Sequence, residues 1–191
     1  MDPKRTTPPA IEPVDLARAK LHLRVDHADE DALITDLIVA ARTECENRLQ
    51  RTLITTGWTW PLDAFPAGGG MLVPPMPPLI TLGVIQYVDT DGVAQTLSGS
   101  GLLHIDPISE PGRIAPVSGS WPATADRINA VTITYTAGYG PAAADVPAPI
   151  RQWLLLAIGD MYANRERSAE HPKVPQGFAD SLLDPYRIWS L

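Results

Sequence analysis

The spacing of apolar residues changes period along the chain, and each change marks a new element. From Pro13, a residue suited to the first turn of a helix, Leu16, Ala19, Lys20 and Leu23 fall on roughly one helical face. This predicts a short helix over 13–25. The acidic stretch Asp26 to Asp31 then breaks it. Asp29 or Glu30 is placed to accept the free amides that open the next helix, where negative charge is favoured. Leu33, Leu37, Ile38, Ala41, Cys45 and Leu49 keep helical spacing, so a second helix is expected over 29–51.

From Trp58 the period drops to two. Trp58, Trp60 and Leu62 alternate as in a half-buried strand. Gly68, Gly69 and Gly70 belong to a loop. Pro74, Pro75, Pro77 and Pro78 keep the segment Met71 to Pro78 out of any central strand, leaving an edge or polyproline conformation. Ile80 to Val88 reads as a strand, turned by Asp91-Gly92 into a returning strand over Val93 to Leu97. Leu102 to Ile105 and Arg113 to Val117 are short strands separated by a Pro-Gly turn. In Ala130 to Tyr135, Val131, Ile133 and Tyr135 share one face, and Thr132, Thr134 and Thr136 the other. The β region therefore spans 58–140.

Period 3.6 returns after Pro149. Ile150, Trp153, Leu154, Ala157, Ile158, Met161 and Tyr162 define a strongly amphipathic helix within 148–167. Beyond it the chain still carries Phe178, Leu182, Leu183, Tyr186, Ile188 and Trp189, interrupted by Pro172, Pro175 and Gly177. Ordering each residue costs about 1–2 kcal/mol of backbone entropy. Full burial of these few apolar groups would recover on the order of 10 kcal/mol. The expectation is a tail over 168–191 that is loose in the free chain and ordered against another subunit. The competing expectation is that it packs back on its own domain.

Taken together, these elements predict an α+β fold. A small bundle of three main helices carries an antiparallel β region inserted between the second and third helices, and an extended C-terminal tail. The domain reading is a flexible arm over 1–12, one domain over 13–167 and the tail over 168–191.

Composition narrows the function classes. With a net charge of −7 among 191 residues, the chain lacks the clustered cations that hold DNA by its phosphates. The polar, Pro-rich residues 1–13 hold no signal-peptide core, and no window reaches the roughly 18 apolar residues of a membrane span. Cys45 is the only cysteine, so neither an intrachain disulfide nor a cysteine zinc cluster is expected. Its place on the apolar helical face makes it a small core residue. His22, His27, His104 and His171 lack metal-ligand spacing. Asp26, Asp29, Glu30 and Asp31 lack the order of a calcium loop and its distal Glu. The three glycines precede neither Lys-Ser/Thr nor a helix, and Ser98 to Gly101 is not a nucleophile elbow. No catalytic residue, metal or cofactor is assigned.

Several segments, in order, resemble the head–tail connector (adaptor) proteins of long-tailed bacteriophages and gene transfer agents. They are Ala19-Lys20-Leu21-His22-Leu23-Arg24-Val25-Asp26, then Asp29 to Ile34, then Ala40-Ala41-Arg42. Trp58 to Asp63, Ile85 to Asp89 and Val131 to Gly140 follow. Val146-Pro147, Pro149-Ile150, Tyr162 to Glu166 and Leu183 to Trp189 complete the pattern. The Pro-rich segment Met71 to Pro78 and the Gly-Ser segment Ser98 to Gly101 depart from it.

The resemblance implies a non-enzymatic structural protein of the particle neck, present in the host cytoplasm before assembly. It implies a homo-oligomeric ring, commonly of twelve subunits, beneath the portal protein. Such a ring joins the DNA-filled capsid to a stopper or tail-completion protein, and double-stranded DNA passes its lumen without specific binding. No membrane is involved. Portal contacts are expected from Phe178, Leu182, Leu183, Tyr186, Arg187 and Trp189, and contacts between subunits from Asn164, Arg165 and Glu166. The alternatives are a tail-completion or stopper protein, a small metal-dependent hydrolase and a free-standing host binding module.

Overall fold

The computed structural model describes residues 2–97, 101–164 and 177–188. The fold is α+β, as expected, but its partition differs from the single domain over 13–167. Two compact units are present: Met1–Pro9 with Thr55–Tyr139, and Ala10–Ile54 with Gly140–Leu191. Each element type closes its own core. Period-two residues bury against one another in the first unit, and period-3.6 residues in the second.

The first unit is built on a five-stranded antiparallel sheet in the order β1-β2-β7-β3-β4. Its strands are β1 (Lys4–Thr7), β2 (Thr56–Leu62), β3 (Leu79–Val88), β4 (Ala94–Leu97) and β7 (Val131–Ala137). β7 lies at the centre and alternates as its sequence requires: Val131, Ile133, Tyr135 and Ala137 are buried, with the intervening threonines half-exposed. A hairpin of β5 (Leu103–Asp106) and β6 (Arg113–Pro116) contributes Leu103 and Ile114 to the core formed by Trp58, Ile85 and the buried face of β7. Leu72 pairs with Ile114 through two backbone bonds of 2.8 and 2.9 Å. The prolines around it keep the rest of Met71 to Pro78 out of the sheet. The β3–β4 turn is braced by Asp89, whose carboxylate accepts from the amides of Asp91 and Val93 and the side chain of Gln95. Gly92 supplies the positive φ of 80° that the turn needs.

One expectation fails at the N-terminus. Residues 1–12 are not wholly a flexible arm, since Lys4–Thr7 form the edge strand β1 on β2. The reason lies in Gly57. A Cβ there would stand 3.0 Å from the Thr7 hydroxyl and 3.2 Å from Thr7 Cβ, so the missing side chain makes room for two threonines. Arg5 adds a cation–π contact, 5.0 Å from the Trp58 ring centroid.

The second unit packs α1 (Leu16–Leu23), α2 (Asp31–Leu49) and α3 (Ala148–Ala163) together. All three helices are shorter than the expected 13–25, 29–51 and 148–167. α1 begins after Pro13, because Asp15 accepts the Arg18 amide at 2.7 Å and acts as the cap. Glu30 does not cap α2 with its side chain as expected; its carboxylate accepts the Tyr162 hydroxyl of α3 instead. Asp31 accepts Lys20 Nζ at 2.6 Å and so ties α1 to α2. On α2 the buried stripe is Ile34, Ile38, Ala41, Cys45 and Leu49, with Leu33 and Leu37 only half-buried. Trp153, Leu154 and Ile158 of α3 complete the core. Burial of each such side chain contributes on the order of 1.5–3 kcal/mol.

Candidate functional site

The described part of the C-terminal tail is attached to the helical unit through Asp180, Leu183 and the Tyr186 carbonyl. Residues 177–188 form a short helix, α4 (Gly177–Ser181), followed by a 3-10 turn over Asp184–Tyr186. Pro185 stops further helix. The turn is closed by the Leu183 amide on the Asp180 carbonyl at 3.0 Å and the Tyr186 amide on the Leu183 carbonyl at 2.9 Å.

Asp180 is the polar attachment. Its Oδ1 accepts from Arg48 Nη1 of α2 at 3.0 Å and from Trp153 Nε1 of α3 at 3.2 Å. Arg48 is held in place by two bonds to Glu44 Oε1, at 3.0 and 2.6 Å, and lies 5.3 Å from the Trp153 ring centroid. The buried Arg51 donates its Nε to the Tyr186 carbonyl. Leu183 is the apolar attachment, with no exposed surface. Sequence reasoning missed Arg48, Arg51 and Asp180 as contact residues. Arg48 and Asp180 are 132 positions apart, and nothing local to either announces the other.

Behind this surface sits a buried charged network. Arg42 donates to Glu12 at 2.7 Å and to Glu46 at 3.0 Å, while the other Glu46 oxygen accepts the Leu53 amide at 3.0 Å. Burial opposes the Arg42 charge. The hydrogen bond and charge of Glu12, then Glu46, outweigh it and hold the guanidinium above its ordinary range. The network fixes the α2 C-terminus, from which Arg48 and Arg51 reach the C-terminal segment.

Residues 177–188 are attached to their own unit: Asp180 bonds to Arg48 of α2 and Trp153 of α3, and Leu183 has no exposed surface. Leu183 therefore cannot serve as an exposed portal anchor. Leu182, Tyr186 and Arg187 remain half-exposed, and Arg187 Nε stands 3.6 Å from Asp184. Asn164 is exposed and turns its side-chain amide onto the Asp160 carbonyl and carboxylate, both at 3.0 Å. The side chain of Phe178, and Arg165, Glu166 and Trp189, lie outside the described residues. Among the described residues no three His, Cys, Asp or Glu side chains could hold a metal ion, and no helix is long and apolar enough to cross a membrane.

The family model of phage gp6-like head-tail connector proteins matches residues 13–86. No curated protein matches the chain in sequence. Among solved structures, a chain in the neck of an empty gene transfer agent particle, computed with C6 symmetry, superposes with a TM-score of 0.84 at 24% identity. A chain in the virion of a native gene transfer agent particle gives 0.84 at 25% identity. One in the native neck computed with C12 symmetry gives 0.77 at 23%. Each comparison covers 100% of this chain and 97% of the other. The chain thus matches the model of phage gp6-like head-tail connector proteins over residues 13–86 and shares its fold with chains of gene transfer agent particles.

Proposed function

We propose that this chain is a structural connector in the neck of a tailed phage or phage-like particle. It forms a ring under the portal and joins the DNA-filled capsid to the stopper and tail, without catalysing a reaction. The observation that carries the reading is the full-length likeness to gene transfer agent neck chains, with 97% of the matched chain covered. The connector match over 13–86 supports it from sequence. The C6 and C12 symmetry of the matched necks supports a ring, and twelve subunits is the count proposed.

In this reading the C-terminal segment faces the portal while staying attached to its own unit. Leu183 and Asp180 hold it from within, and Leu182, Tyr186 and Arg187 present their outward surfaces, with Phe178 and Trp189 as further anchors. Asn164, Arg165 and Glu166 face a neighbouring subunit. The net charge of −7 suits a ring that lets DNA slide past without trapping its phosphates. Native mass measurement after mixing the chain with its cognate portal tests the proposal. A complex with twelve added copies is expected. A portal that stays unbound, with the chain located elsewhere in the particle by imaging, overturns it.

A further inference from the structure

Two exposed stripes on the helical unit complement each other in charge and spacing. On α1, Leu21 is 81% exposed, on the side of the helix away from the buried Ala19. Arg18 precedes it by three residues on the same exposed side. On α2, the exposed stripe carries Asp36 and Val39, which is 39% exposed, again three residues apart. Ala32, Ala40 and Thr43 flank them and leave room for close approach. Neither the Arg18 guanidinium nor the Asp36 carboxylate bonds to another side chain among the described residues.

We infer that the α1 stripe docks on the α2 stripe of a second copy of this chain, and that repetition of this contact closes the ring. Parallel alignment of the two helices sets Arg18 against Asp36 and Leu21 against Val39, because both pairs are separated by about one helical turn. The same charges disfavour the symmetric alternatives. Parallel pairing of α1 with α1 brings Arg18 to Arg18 and of α2 with α2 Asp36 to Asp36, while antiparallel pairing sets each charge against an apolar side chain, Leu21 or Val39. Like charges in apposition suppress wrong pairings. A head-to-tail contact between two different surfaces is what a closed ring requires, whereas a symmetric contact stops at a dimer. The inference rests on the connector reading and adds which surfaces meet.

The test uses full-length chain in assembled particles, on a Cys45→Ala background. With Leu21→Cys and Val39→Cys combined, mild oxidation is expected to give a ladder of covalent multimers; either substitution alone gives none. Arg18→Glu and Asp36→Arg, each alone, should lower the yield of necks by at least about tenfold, since the repulsion recurs at every seam. The two together should restore it, because both sides of every seam are exchanged. Imaging that shows the ring in place, with no covalent ladder and both charge reversals tolerated, overturns this contact and leaves the connector reading standing. Particles that lack any ring of this chain overturn the connector reading, and the contact with it.

Discussion

Leu183 and Cys45 lie in the same helical unit, and both have no exposed surface. Only one of them was legible in the sequence. Cys45 falls on the period of a nineteen-residue helix, so its neighbours along α2 locate it. Leu183 sits in a short turn among prolines and glycines, where periodicity has too little length to speak. The segment that carries it is tied down by Arg48 and Trp153, far away in sequence. Leu183→Ala should cost about 2–5 kcal/mol locally. Faster hydrogen exchange confined to 177–188 checks this, with α2 protection retained. Asp180→Ala removes the acceptor of Arg48 and Trp153 from a partly exposed site, so about 1 kcal/mol is expected by the same measurement. Burial raises the Cys45 thiol to about 12 from an ordinary value of 9.0. The folded state then keeps its proton where the unfolded chain loses it. The associated stability is complete below about 9 and is lost as pH rises toward about 12. Burial also raises the Tyr135 phenol, in the same direction. The difference between wild type and Cys45→Ala isolates the thiol: denaturant midpoints should fall more steeply with pH in the wild type.

Elements with long, regular patterns were readable, and those made by long-range fit were not. β7 matches its expected faces because it repeats its period over several pleats, and α3 buries Ile150, Trp153, Leu154 and Ile158 as expected but adds Leu155 and leaves Ala157, Met161 and Tyr162 half-buried. β1 has four residues between prolines and no alternation of its own. It exists because Gly57 and Trp58 of β2 accommodate Thr7 and Arg5. The acidic joint shows the same limit. Helix-start chemistry explained the composition of Asp26 to Asp31, but the partners of Glu30 and Asp31 are Tyr162 and Lys20, supplied by other helices. The charged residues that attach the C-terminal segment, Arg48, Arg51 and Asp180, have no local signature in the sequence. The dependence of β1 on Gly57 is testable. Gly57→Val places methyl groups where Thr6 and Thr7 now lie, and an edge strand can yield more easily than a central one. The substitution should release residues 4–7 while β2 stays paired to β7. Amide exchange should show lost protection in β1 alone, and equal protection in both proteins would contradict this account.

At the scale of the whole molecule, insertion of the β region between the second and third helices was visible in sequence as a change of period and back again. That the inserted part forms its own unit was not, because period shows which elements form and is silent on how cores divide. The structure supplies the missing piece at the crossing point. Ile54 and Gly140 form a parallel bridge inside the helical unit, so the chain leaves and re-enters that unit at adjacent positions. Loop closure between adjacent ends is cheap: each doubling of a flexible connection adds only about 0.6 kcal/mol. The buried residues Val14, Leu49, Ile158 and Leu183 all belong to the helical unit. Replacing 55–139 with a short Gly-Ser linker should therefore leave a cooperative helical protein. The C-terminal segment proposed to face the portal and both helical stripes reside in that unit, so the shortened chain should also keep portal binding and the Leu21–Val39 cross-link. Circular dichroism during thermal unfolding, followed by portal capture, measures both. A shortened chain that folds cooperatively but ignores the portal would move the portal contact onto the β unit. One that cannot fold would show that the helical core depends on the inserted strands.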